Sequence, residues 1–252
     1  MKRAARGAAW PVVLLVLSFL CPTEFSVYAG SIRLPPHRAL LIVLLPIALF
    51  RALNSGDNRL KLFDITIFLF AVWVFLAHVY NHGLSDGIQP GGSQALDAFA
   101  SSLVARVYIR TPEDFRSVAR LLFYLVAIIA VMALPEALTG HFYIHEFLGK
   151  VTGYIHPTGV ETRMHLTRAF ATFDHPIHLG TFCAAGLAIC VYSERNKLIQ
   201  ASRIAMLSFG AFLGLSSAPM LAIAVQFALM ATEKLTRGLK GRIQLGFAVI
   251  TG

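Results

Sequence analysis

Leu62 to Tyr80 reads Leu-Phe-Asp-Ile-Thr-Ile-Phe-Leu-Phe-Ala-Val-Trp-Val-Phe-Leu-Ala-His-Val-Tyr, a nearly unbroken apolar run rich in Phe and Val. A helix needs about 20 such residues to cross the hydrocarbon of a bilayer, so this stretch reads as a membrane span and sets the class of the whole chain. Upstream lie two further runs, Ala8 to Cys21 and His37 to Leu53, the second stopped by Asn54-Ser55-Gly56-Asp57. Downstream, a Gly-rich loop is expected over Asn81 to Gly92, then a weaker span from Ser93 to Ile109. Thr111-Pro112-Glu113-Asp114 has a capping residue, Pro at the first helical position and acids in the first turn, and opens a helix whose span is Leu121 to Leu138. His141 to Pro176 reads as the one long polar loop. Ile177 to Tyr192 is apolar again, and Ile204 to Met230 is interrupted by Leu215-Ser216-Ser217-Ala218-Pro219.

Composition agrees with that class. The chain has 252 residues, 56% of them hydrophobic and 14% charged, with a mean hydropathy of +0.66. That is too apolar and too poorly charged for an ordinary soluble domain. The net charge of +9 does not point to nucleic acid, because Lys and Arg are scattered between apolar runs and form no dense face. Cys21, Cys183 and Cys190 lack CxxC spacing and read as packing residues. Met1-Lys2-Arg3 followed by an apolar run resembles a signal peptide, with a small-residue site near Ala29. More membrane follows it, so an uncleaved first helix is expected.

Charge asymmetry sets the topology. A cytoplasmic N-terminus leaves only Arg33, Arg38, Lys150, Arg163 and Arg168 outside, and places the other seventeen of 22 Lys and Arg inside. That division requires Ile204 to Met230 to cross twice, or to enter and return, which puts the Ser-Ser-Ala-Pro break at the outer face beside the His-rich loop. The expectation is an all-α, polytopic transmembrane helix bundle of about eight spans, forming a single membrane domain over residues 1–252. Ile243 to Ile250 would begin a ninth span, and the chain reads as cut within it.

Six of the nine histidines, His141, His145, His156, His165, His175 and His178, lie in or beside the loop 141–176. His141 with His145 and His175 with His178 have spacings that could ligate zinc on a helix, but Glu146 follows the second histidine where a zinc-protease motif would have its Glu between the two. The motif is weak, and solvated interfacial imidazoles are the preferred account. Arg163, Arg168 and Lys150 form a small cationic patch on the side where the charge rule disfavours them. Guanidinium forks suit phosphate oxygens; snorkelling to headgroups is the competing account. Asp97 and Arg106 are too far apart for an intrahelical pair, and each is expected to find a partner on another helix. His78 and His82 read as interfacial. Arg168-Ala-Phe-Ala-Thr-Phe-Asp174-His175-Pro176 also reads as a capped helix start, with Asp174 as N-cap and Pro176 in the first turn.

That same stretch, with Ile177 and Gly180, resembles the R-x-x-G-T-F-x-H-P-N/I-x-x-G signature of the bacterial O-antigen ligase and exopolysaccharide polymerase family. The Phe25 to Arg38 loop looks like the region between the first two helices of polymerase-type members, and Leu215-Ser216-Ser217-Ala218 falls where the family often has a Ser-Arg-Gly turn. The resemblance implies a many-helix inner-membrane protein that joins glycan to an acceptor at the periplasmic face. It implies an undecaprenyl-diphosphate-linked donor among membrane lipids, and neither a metal nor another cofactor. Arg168 matches the arginine associated with the donor diphosphate, with Arg163 as its helper. Asp174, His175, Pro176, Gly180, Ser216 and Ser217 match motif or structural positions. Ser217 stands where the family has arginine, and Ala171 where it has glycine. The family's catalytic base would lie beyond Gly252, so no catalytic residue is expected in this segment. A transporter or channel built on the Ser216–Pro219 break, and a zinc-dependent membrane hydrolase using the loop histidines, are the alternatives.

Overall fold

A computed structural model describes residues 9–30, 32–54, 60–153 and 159–236. The described chain is all-α apart from two small β-hairpins, and divides into two compact units, Met1–Val118 and Ala119–Gly252. Four of its helices are long and apolar enough to cross a membrane: Pro36–Asn54, Leu62–Tyr108, Pro112–Thr139 and Ser217–Leu235. The count of eight spans is therefore not met by length and composition. The first expected span narrows to α1 (Trp10–Phe19), ten residues and about 15 Å at 1.5 Å per residue, half the hydrocarbon thickness. The expected ninth span, Ile243 to Ile250, lies outside the described residues.

In the first unit, α1 leads through a 3-10 turn, Thr23–Phe25, to an antiparallel hairpin of β1 (Val27–Ala29) and β2 (Ile32–Leu34), in which Tyr28 pairs with Arg33. Arg33 ties the hairpin down by donating from Nη2 to the Thr23 carbonyl at 2.8 Å and from Nε to Ser26 Oγ at 3.1 Å. Then comes α2 (Pro36–Asn54), which buries Leu41, Leu44, Ala48 and Ala52 along one helical stripe and packs on α3 (Leu62–Tyr108).

α3 corrects the expected loop at Asn81 to Gly92. A straight helix of its 47 residues would be about 70 Å long, more than twice the hydrocarbon core. Instead it folds back at Gly83, whose φ of 79° and ψ of 171° break the helix at one residue. The arms run antiparallel. Arg106 Nε reaches Asp64 Oδ1 at 2.5 Å across them, and Phe68 meets Phe99 edge-on at 5.3 Å. Near the turn the glycines are packing surfaces: a Cβ on Gly87 would lie 2.5 Å from the His78 carbonyl oxygen, and one on Gly91 2.8 Å from His78 Cβ. Both intramembrane charges find partners off their own arm, as expected, since Asp97 accepts from Arg38 of α2 at 2.9 Å.

α4 (Pro112–Thr139) starts where the sequence places it. Thr111 Oγ1 accepts from the Asp114 amide at 3.1 Å, and Asp114 Oδ2 accepts from the Thr111 amide at 3.0 Å. Its later part belongs to the second unit and buries Val126, Ile129, Ala130, Ala133 and Ala137 on one face. After it come α5 (Tyr143–Thr152), the hairpin of β3 (Thr162–Arg163) and β4 (Leu166–Thr167), and the packed helices α6 (Pro176–Tyr192), α7 (Lys197–Leu213) and α8 (Ser217–Leu235). Small residues set the contact distances: a Cβ on Gly210 of α7 would come within 2.9 Å of Cys183 Sγ in α6 and 3.4 Å of Ala130 in α4. Buried Cys183 and Cys190 are packing residues, as their spacing suggests. Gln226 of α8 bonds the Ala184 carbonyl at 2.9 Å and the Ala188 amide at 3.1 Å on α6. At the opposite end of α7, buried Arg203 donates to the Cys190 carbonyl at 2.8 Å and pairs with Glu194 at 3.3 Å.

Candidate functional site

The segment expected to be one polar loop, 141–176, carries α5 and a tight hairpin. Met164 and His165 both have positive φ, 53° and 62°, at the hairpin turn, the geometry that follows the twist of paired strands. This hairpin and the residues after it lie against the turn between α7 and α8. Three consecutive carbonyls of that turn are acceptors: Leu213 from the Ala169 amide at 3.1 Å, Gly214 from Arg168 Nε at 3.4 Å, and Leu215 from Arg163 Nη1 at 3.3 Å. The turn admits no side chain at Gly214, where a Cβ would lie 2.6 Å from the Pro176 carbonyl oxygen, and it holds Leu215 at a φ of 44°.

Arg168 and Arg163 are thus brought to one surface in different states. Arg168 is buried, 7% exposed, and its Nη1 is paired with Glu161 Oε2, a carboxylate that is itself largely exposed. Arg163 is exposed and lines a cleft of about 180 Å³ together with Ser216, Ser217, Met164, Phe212, Leu215 and Met220. A cation and two hydroxyl-bearing residues there meet apolar walls, a combination suited to an amphipathic anion. Lys150, the third expected cation, sits exposed in the last turn of α5, and no contact places it in the cleft.

The remaining motif residues are mostly architectural. His175, not Asp174, is the N-cap of α6: its Nδ1 accepts from the Ile177 amide at 3.2 Å, which leaves the neutral ring's proton on Nε2. Burial, then the nearby Arg168 guanidinium and His178, hold His175 below its ordinary value of 6.5, with Glu161 opposing them. Asp174 is half-buried in the turn before the cap. Pro176 occupies the first helical position, where its missing N–H costs nothing. Gly180 lets α8 approach, since a Cβ there would lie 2.7 Å from Pro219 Cγ. Ser216 is buried at the start of α8, and Ser217 is exposed beside it.

Among the described residues the histidines do not converge on a metal-binding group. His141 precedes α5, while His145 is buried on it with its ring 4.9 Å from that of Phe170. His175 and His178 rings are 6.0 Å apart, and His156 lies outside the described residues. Among the described residues no three His, Cys, Asp or Glu side chains group to hold a metal ion.

Sequence reasoning missed Glu136. It sits in the last turns of α4 with no exposure, and its Oε2 accepts from the Ala171 amide at 2.8 Å and the Phe170 amide at 3.2 Å. Ala171 has a φ of 50°, so an L-residue is held in left-handed backbone over a buried carboxylate. The visible signal was an acid within an apolar run, Met132-Ala-Leu-Pro-Glu136-Ala-Leu138, which demands a partner by its chemistry alone.

Comparison with protein-family models, with curated proteins and with solved structures returns no match to this chain.

Proposed function

We propose that this chain functions as a bacterial cell-surface polysaccharide polymerase or ligase, and that Arg163 and Arg168 receive the diphosphate of an undecaprenyl-linked glycan at the periplasmic face. The observation that carries the reading is the pairing of these two guanidiniums on adjacent carbonyls of one turn, with the cleft of Arg163, Ser216 and Ser217 beside them. In this reading the chain sits in the inner membrane with its N-terminus cytoplasmic. The two arms of α3 cross separately, and α1, α6 and α7 complete eight crossings. The charge distribution along the sequence supports that arrangement.

Glycosyl transfer from such a donor breaks the bond between the anomeric carbon and the diphosphate oxygen as the acceptor hydroxyl attacks from the opposite side. Negative charge grows on the leaving oxygen. Guanidiniums held in place by the α7–α8 turn, Arg168 buried and Arg163 at the cleft, stabilise it, and the acceptor proton passes to a base that is not assigned among these residues. Glu161 holds the Arg168 fork until a phosphate oxygen takes its place. The apolar walls of Phe212, Met164 and Met220 suit the first isoprene units. The transporter reading has less support, because the two intramembrane charges that motivated it, Asp97 and Arg106, are already engaged in the Arg38–Asp97 and Arg106–Asp64 pairs.

The test is genetic. Cells whose only copy carries Arg163→Ala with Arg168→Ala accumulate lipid-linked oligosaccharide and lose finished polymer. Unchanged polymer and no accumulation would refute the assignment.

A further inference from the structure

Glu136 is buried without exposure inside a helix apolar enough to cross a membrane, and its role is not explained by helix packing. An acid in such a place is costly unless its oxygens are used. One is: Oε2 takes two successive amides, Phe170 and Ala171, at 3.2 and 2.8 Å. The other, Oε1, has no hydrogen-bond partner among the described residues. Successive amides that converge on one oxygen form an anion-binding nest, and here the nest lies only two residues after Arg168. Ala171 reaches the required geometry at a φ of 50°, left-handed backbone that an L-residue adopts only under strain. Phe170 is fixed at the same time, with its ring 4.3 Å from that of Phe142 and 4.9 Å from that of His145.

We infer that Glu136 is a positioning residue for the diphosphate site: it holds the 168–171 backbone in the left-handed turn that sets the Arg168 guanidinium against the Gly214 carbonyl. The inference rests on the diphosphate reading of Arg168. Its physical basis is that residues 169–171 are wholly buried, so the backbone leaving Arg168 has two restraints. One is the Ala169 amide on Leu213, and the other is the pair of amides on Glu136. Without the carboxylate the second restraint is lost, two buried amides are left without their acceptor, and Ala171 has no reason to remain left-handed. The guanidinium then samples positions from which it reaches its ligand less often, which lowers affinity without removing any atom that touches the ligand.

The test uses the full chain in lipid nanodiscs, with farnesyl diphosphate as the probe and farnesol as its uncharged control. Wild type prefers the diphosphate, and Glu136→Leu, which keeps volume but no acceptor, weakens that preference on the order of tenfold. In the Glu136→Leu background Arg168→Ala adds little further loss, a coupling that a general loss of stability does not produce. Glu136→Gln keeps one neutral carbonyl acceptor, weaker than the carboxylate, and binds the diphosphate more weakly than wild type and more tightly than Glu136→Leu. Should Glu136→Leu not fold, amide exchange in Glu136→Gln decides. Faster exchange at Phe170 and Ala171 accompanied by weaker binding supports the role, and unchanged exchange with unchanged binding overturns it. A folded Glu136→Leu protein that binds the diphosphate as wild type does also overturns it, while leaving the reading of Arg168 intact. No preference for the diphosphate in wild type overturns both.

Discussion

Ala171 and Gly214 are opposite cases of one backbone constraint. Ala171 is an L-residue at a φ of 50° with no exposure, so Ala171→Gly relieves left-handed strain. The variant is expected to be more stable by up to about 1 kcal/mol, once the glycine's greater unfolded-state entropy is set against the relief; its thermal midpoint rises in a detergent melt. Gly214 has the reverse problem, because a methyl there meets the Pro176 carbonyl oxygen at 2.6 Å. Gly214→Ala therefore destabilises by about 1–3 kcal/mol, read in the same melt. His175 adds a pH dependence. Its value is held below 6.5 in the folded chain, chiefly by burial. Its contribution to stability is thus full above 6.5 and is lost as pH falls through the lowered folded value, because the unfolded chain takes the proton first. His175→Asn keeps a capping acceptor and does not titrate, so the difference in thermal midpoint between wild type and this variant should move against wild type from pH 7 to pH 5.

At the scale of elements, α3 shows what apolar periodicity conceals. The glycines of Asn81 to Gly92 read as a loop, because glycine usually marks one; here Gly83 alone makes the turn, and Gly87 and Gly91 are flat surfaces for the His78 end of the other arm. The hairpin has a direct check. Cysteines replacing His78 and Gly91 should form a disulfide on mild oxidation, since the Gly91 Cβ position is 2.8 Å from His78 Cβ and a small shift gives bonding geometry. In one continuous helix the same positions would be about 20 Å apart and would not react. Where local chemistry determines an element, the sequence was enough: the Thr111–Asp114 cap, Pro176 at the first position of α6 and the break before Pro219 all stand where their residues place them. α5 and the β3–β4 hairpin were hidden inside a polar stretch because they depend on contacts with Phe170 and with the α7–α8 turn. Glu136 was hidden for the same reason, its partners being amides more than thirty residues away.

Taken as a whole molecule, the chain exposes large apolar side chains along its long helices, Trp73 at 71% and Leu69 at 60% on α3, Val131 at 65% on α4 and Leu221 at 65% on α8. Stripes of that extent match a lipid surface rather than water, in keeping with four helices of spanning length. Sidedness is the proposal that joins this surface to the Arg163 cleft. A cysteine replacing exposed Met164, at the hairpin tip, should react in intact cells with a membrane-impermeant maleimide that reaches only the periplasm. Labelling that appears only after the inner membrane is opened would put the cleft in the cytoplasm and remove the proposed substrate. The most direct measurement of the central claim is a titration of the nanodisc-embedded protein with farnesyl diphosphate, comparing wild type with Arg163→Ala and Arg168→Ala. The account predicts saturable binding that farnesol does not reproduce and that each substitution weakens about tenfold or more, the size of one charge-assisted contact. Equal binding of farnesol and farnesyl diphosphate, or affinity indifferent to both arginines, would contradict it.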